Sequence, residues 1–459
     1  MPLLGEACVR GLGEDGDISE GAQREMRPVP PDFRTRDLGQ RKVNSPLRAT
    51  RFMDSSKPLL FRADIDELRE QIRTGIDPPA FELAGPRENI YFDPRTVRCG
   101  IVTCGGLCPG LNDVIRSIVF CLHEKYGVAT IYGFRFGYEG LVERSERKPI
   151  ELTTRRVSQI NEVGGTVLGS SRGPQPVDEM VDTLDRLGIQ LLFTIGGDGT
   201  LRGAHSIVEE IQRRELEIAV VGVPKTIDND ISYIDLSFGF DTAVEAARQA
   251  TRAAYVEASC HRLGIGLVKL MGRDSGFIAS FATLADTQVG LCLIPEIGFS
   301  IEGVVRAARQ RIERDGYVVI VVAEGAGQNL LDDAAEFDAS GNRRHGDIGV
   351  FLRDTIPETF RAQGISVSLK YIDPSYMIRS LPANARDANF CLRLGHAAVH
   401  AGMAGKTDTV IGSWRRRLTH VPIPMAVSSR KMVATNGYLW QTVLSVTGQA
   451  DDLLSAVPF

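Results

Sequence analysis

The chain has 459 residues, 43% of them hydrophobic and 24% charged, and a formal net charge of −5. That is room for two or three domains with a substantial core. It excludes a global basic field suited to nucleic acid or an anionic membrane, and no apolar run is long enough to span a bilayer.

The opening MPLLGEACVRGLGEDGDISEG lacks a basic stretch followed by an apolar one, and the closing SAVPF is no peroxisomal address. Neither reads as a targeting signal, so a cytoplasmic location is expected. The eight cysteines are scattered, as buried free thiols of a reducing compartment would be.

Residues 1–96 read as an N-terminal extension: Pro-rich and charged to about residue 60, then a short helix over Asp64–Thr74. The compact part is expected to begin near Val97. Cys99–Cys104 is a strand, followed by the Gly-rich run Gly105–Gly110 and an amphipathic helix from about Leu111 to Lys125. Ala129–Tyr132 is a strand leading to Tyr138. Farther on, Arg172 stands among small residues (Gly169–Gly173), where it can reach an anion.

The central stretch runs from Leu191 to Ile231. Two apolar runs, Leu191–Ile195 and Ile218–Val223, flank a helical segment, Leu201–Arg214, which predicts strand, helix, parallel strand. Both following loops, with Asp198 in one and Lys225, Thr226, Asp228 and Asp230 in the other, then leave the same carboxyl edge of the sheet, where open α/β sheets bind ligands. Bare backbone around Gly197, Asp198, Gly199 and Thr200 at a helix N-terminus suits a polyphosphate. Three acids beside such a cradle imply a divalent cation or a proton-transfer role, and the reading is phosphoryl transfer.

Strands are further expected at Gly264–Leu270, Val289–Ile294, Tyr317–Ala323 and Ile365–Tyr371, with a helix at Phe277–Ala285. This rhythm predicts an α/β protein of two doubly wound, Rossmann-like parallel-sheet domains facing across a cleft. We assign 97–240 with 378–412 to a nucleotide-binding domain and 241–377 with 413–459 to a sugar-phosphate-binding domain. His396 and His400 are four apart on a helix without an intervening Glu, which does not predict a zinc site. Arg415-Arg416-Arg417 reads as a solvated face or an anion site.

TCGGLCPGLND (103–113), GSSRG (169–173), IGGDGT (195–200), PKTIDND (224–230), MGRDSGF (271–277) and AEG (323–325) follow the order found in 6-phosphofructokinases. The resemblance runs from about Cys99 to at least His400. TCGGLCPGLNDVIR and YIDPSYMIR resemble the long ATP-dependent branch of plants and trypanosomatids. It implies transfer from ATP, with Mg2+, to the 1-hydroxyl of fructose 6-phosphate, by a homotetramer open to allosteric control. By motif position it implies Asp228 as general base and Asp198 as the magnesium-side acid. Thr226, Arg172 and Gly106 would lie around the transferred phosphoryl group, with Asp230 as a second catalytic acid. Tyr138 would lie on the nucleotide side with Gly197, Gly199, Thr200 and Lys225. Met271, Gly272, Arg273 and Glu324 would surround the sugar, and Tyr376, Arg379 and Lys370 its 6-phosphate. Lys370 stands where short relatives have an Arg from a neighbouring subunit, and Tyr376 where they have His. Gly199 argues for ATP and Lys225 for pyrophosphate, so a pyrophosphate-dependent enzyme is the alternative, and a non-catalytic sugar-phosphate-binding subunit a more distant one.

Overall fold

The computed structural model describes residues 32–48, 51–143, 147–331 and 345–454. Two units are distinguished, Met1–Asp32 and Phe33–Phe459, and the second carries both main sheets. The larger sheet contains β1 (Leu59–Leu60), β2 (Ala80–Leu83), β3 (Arg98–Thr103), β4 (Thr130–Gly133), β5 (Ile150–Glu151), β6 (Leu191–Gly196) and β7 (Ala219–Pro224). The smaller contains β8 (Gly264–Leu270), β9 (Val289–Leu293), β10 (Tyr317–Ala323) and β11 (Ser368–Ile372), and the larger is completed by β12 (Thr409–Trp414) and β13 (Arg417–Pro422). The orders are β1-β2-β13-β12-β7-β6-β3-β4-β5 and β9-β10-β8-β11.

The heart of each sheet is parallel. Those strands are apolar and almost wholly buried, as strands covered on both faces must be. Among the helices are α1 (Leu111–Phe120), α2 (Asp198–Arg213), α3 (Phe240–Ser259), α4 (Phe277–Ala285), α5 (Ser375–Arg379) and α6 (Ala385–Met403). Among the described residues no helix is long and apolar enough to cross a membrane.

Two boundaries need correction. The compact body starts well before Val97: β2 joins the large sheet, and Phe81 and Ile90 are fully buried. Its signal was hidden because β2 is only four residues long. Segment 413–459 also does not belong wholly with the smaller sheet. Trp414 ends β12, and β13 runs back antiparallel to it in the larger sheet, turning at Arg415 and Arg416 with φ of 47° and 64°. The later part does lie against the smaller sheet: the helix Tyr438–Thr447 packs on α4 and β9, and Gln449 bonds the Cys292 backbone within β9.

Candidate active site

The register between β6 and β7 fixes the site. Gly196 pairs with Pro224 at the strand ends, so Gly197-Asp198 and Lys225-Thr226 leave the sheet side by side. On the other flank of β6, Thr103 pairs with Ile195, and the Cys104 N–H donates to the Ile195 carbonyl at 3.0 Å. Three loops therefore open at one carboxyl edge. With Ser171–Gln175, Arg273, Arg379 and Arg430 they line a cavity of about 670 Å3.

The cradle is built from backbone. Gly105 has φ +85°, and its carbonyl accepts from the Ser170 hydroxyl. Lys225 is buried beneath this loop, its Nζ donating to the Gly106 carbonyl at 2.7 Å. Burial pushes that ammonium below its ordinary pKa. Gly199 lies in the first turn of α2, and a Cβ there would meet nothing within 4 Å. Tyr138 lines the wall, but its hydroxyl donates to the Thr200 carbonyl at 2.7 Å, so the phenol holds the start of α2.

The acids divide by surroundings. Asp198 is partly exposed on the cavity wall and pairs with Arg202 at 3.0 Å, four residues on. Asp230 accepts from the Thr226 hydroxyl at 2.6 Å and pairs with Arg430 at 3.1 Å; Arg430 also reaches Asp274. Asp228 Oδ2 accepts weakly from the Arg273 N–H at 3.3 Å. Its Oδ1 is enclosed and has no hydrogen-bond partner among the described residues. Burial, then the neighbouring charges of Asp230 and Glu324, push Asp228 up to about 8.

Of the expected residues, Gly106, Tyr138, Arg172, Gly197, Asp198, Gly199, Thr200, Lys225, Thr226, Asp228, Asp230, Arg273 and Arg379 share the cavity. Met271 is fully buried behind it, and Gly272 makes the turn at φ +127°. Glu324 stands 4.0 Å from Arg379, its carboxyl raised mainly by burial. Lys370 and Tyr376 are exposed, Tyr376 by 81%, and neither lines the cavity. Sequence reasoning missed Arg430 and Arg202. Arg202 could have been found as the residue four beyond Asp198 on a helix, whereas Arg430 sits 200 positions from Asp230 with no local pattern to mark it.

A glycine-rich backbone cradle, clustered cations and an enclosed acid at the carboxyl edge of a doubly wound sheet are the make-up of an α/β enzyme with a phosphoryl-transfer type of site. The phosphofructokinase family model matches residues 98–402. An ATP-dependent 6-phosphofructokinase of Borreliella burgdorferi is 48% identical over 91% of this chain and 97% of its own length. That of Trypanosoma brucei brucei is 47% identical over 87% and 82% respectively. The chain belongs to the phosphofructokinase family. The fold agrees: a pyrophosphate-dependent phosphofructokinase structure from Marinobacter aquaeolei superposes with a TM-score of 0.64 at 20% identity, covering 79% of this chain and 93% of that one.

Proposed function

We propose that the chain transfers the γ-phosphoryl group of ATP to the 1-hydroxyl of D-fructose 6-phosphate, giving fructose 1,6-bisphosphate and ADP. The observation that carries this reading is Asp228: a carboxyl raised to about 8, with one enclosed oxygen that has no hydrogen-bond partner among the described residues, sharing one cavity with Asp198. A carboxylate that is costly to charge is a strong base, suited to take the proton of a sugar hydroxyl as it attacks. Arg172 sits against the Gly106 backbone, a Cβ on that glycine lying 3.2 Å from its guanidinium, where it can meet charge spreading over a phosphoryl group. Arg273 and Arg379 supply cations on the sugar side. Arg430 holds Asp230 and with it the Thr226 hydroxyl.

Asp198 fits a magnesium ion: it is a hard oxygen donor on the cavity wall with a partly exposed face. One carboxylate with phosphate oxygens and water is an ordinary magnesium environment, and the ion would neutralise polyphosphate charge when bound. Lys370 and Tyr376, exposed within one chain, suit groups that serve a neighbouring copy in a homo-oligomer.

The donor follows from two positions. The Cβ direction of Gly199 is open, leaving passage for an α-phosphate and nucleoside. Lys225, the feature shared with pyrophosphate users, is tied to the Gly106 carbonyl, which gives it a structural use independent of the donor. A coupled assay with fructose 6-phosphate and each donor in turn tests the reading. Turnover with MgATP is expected, and turnover with pyrophosphate alone would replace it.

A further inference from the structure

The helix pair α1–α6 carries a cluster that phosphoryl transfer does not use. His396 and His400 lie four apart on α6, and the sequence shows no third ligand near them. The fold supplies one: the Cys121 thiol and one ring nitrogen of each histidine lie within 4.8 Å of one another. The backbone is shaped for this. Straight after α1 the chain widens into a π-helix over Cys121–Tyr126. On an α-helix residues five apart point about 140° from each other, at ~100° per residue. Under i→i+5 winding they come close to one face, and such turns recur at functional sites. Both Cys121 and Tyr126 thereby face α6, and the Tyr126 hydroxyl sits 2.8 Å from His400 Nδ1.

We propose that Cys121, His396 and His400 bind a zinc ion, with water as fourth ligand. One thiolate and two imidazoles are a borderline-soft set that selects zinc over magnesium. In a tetrahedral site the sulfur–nitrogen and nitrogen–nitrogen edges are about 3.5 and 3.3 Å, from metal–ligand lengths of ~2.3 and ~2.0 Å. The cluster therefore closes by an ångström or so, within reach of side-chain rotation. Tyr126 supplies the outer hydrogen bond that orients a ligating imidazole, leaving Nε2 of His400 for the metal. The cations that act on the two histidines are Lys125 and Arg87, and Arg87 is already met by Glu82 at 2.9 Å. His396 is partly exposed and gives the ion a way in. Ten residues of α1, about 15 Å, separate the site from the Gly-rich loop, so the ion clamps two helices without touching substrate.

The test uses full-length protein stripped of metal and titrated with cobalt(II), a spectroscopic stand-in for zinc, in buffer containing magnesium. About one equivalent should bind with a thiolate-to-cobalt charge-transfer band in the near ultraviolet, which oxygen ligands at Asp198 cannot produce. Zinc should displace it and raise the Tm. Cys121→Ser should abolish the band. His396→Ala, at a partly exposed position that the fold tolerates, should weaken binding at least about tenfold, and Tyr126→Phe about 10–100-fold with the band kept. Absence of the band in the unsubstituted chain, or its persistence undiminished in Cys121→Ser or His396→Ala, would overturn the proposal.

Discussion

Asp228 makes its own pH test. Its folded-state pKa is raised, to about 8, from an unfolded value near 4. The stability it contributes is therefore fully present below about pH 4 and is lost as pH rises through about 8, because the folded state resists the charge that the unfolded chain accepts. In Asp228→Asn this loss disappears. The Tm difference from the parent should be near zero below about pH 4, grow in the variant's favour between about pH 4 and pH 8, and level off above that. Activity should fall by ~10²–10⁴-fold, the usual worth of a positioned base. In the parent, kcat/KM should show an acid limb titrating near 8. Two Tm curves running parallel across that range would mean Asp228 is not held uncharged. At this scale the sequence is informative wherever a residue follows a strand end: Asp198 and Asp228 can be paired without coordinates because strand polarity alone brings their loops together. The salt link from Arg430 to Asp230 and Asp274 is a product of tertiary folding, and no spacing rule reaches it.

Elements were legible in proportion to their hydrophobic continuity. Strands β8 and β10 and helix α4 occupy the ranges expected of them, since unbroken apolar runs bounded by polar loops leave little choice. The β12–β13 hairpin failed that test because its turn is Arg415-Arg416, both in the left-handed region where Asn and Gly are usual. The turn persists since strand pairing on both sides dictates it, at a cost in backbone strain. Arg415→Asn with Arg416→Gly should relieve that strain and stabilise the fold by about 1 kcal/mol. The Arg415 N–H bond to Asp235 is a backbone contact and survives; only a weak side-chain bond to the Phe61 carbonyl is lost. A higher urea midpoint at unchanged slope is the expected readout. The start of α2 carries a second prediction. Gly199→Asp places a carboxylate in open space near a helix N-terminus, which the fold accepts. On the proposed reading the same charge would face the path of an α-phosphate, so kcat/KM for MgATP should drop by about 10²-fold or more, ~3 kcal/mol, with the Tm held within a degree or two. An equal loss with a donor lacking an α-phosphate would refute the stated cause.

Over the whole molecule, the segment before Val97 is where the sequence was least readable and the consequences are largest. Its strands are two to four residues long, too short for periodicity to register, yet they close one side of the larger sheet. β2 pairs with β13, Thr419 opposite Leu83 and His420 opposite Glu82. Above that junction Phe33, Phe61, Phe81, Tyr233 and Trp414 form a single aromatic cluster with ring centroids 4.9–6.1 Å apart. Lys406, only 4% exposed at its side chain, is neutralised by Asp37 and Glu82 at 2.9 and 2.6 Å, both from this same segment. A chain begun at Val97 would keep every catalytic candidate while baring the β13 edge, uncovering Trp414 and leaving Lys406 without either acid. An unpaired strand edge invites intermolecular pairing, and a buried ion that loses its partners typically costs about 3–5 kcal/mol. That sum reaches the margin by which whole domains are stable. The truncated chain should therefore express as aggregate, whereas one begun at Phe33 retains the entire second unit and should melt cooperatively near the Tm of the full chain. Size-exclusion and circular-dichroism melts of the two truncations decide it. A soluble, cooperatively melting chain from Val97 would demote the segment to the surface arm that its composition suggests.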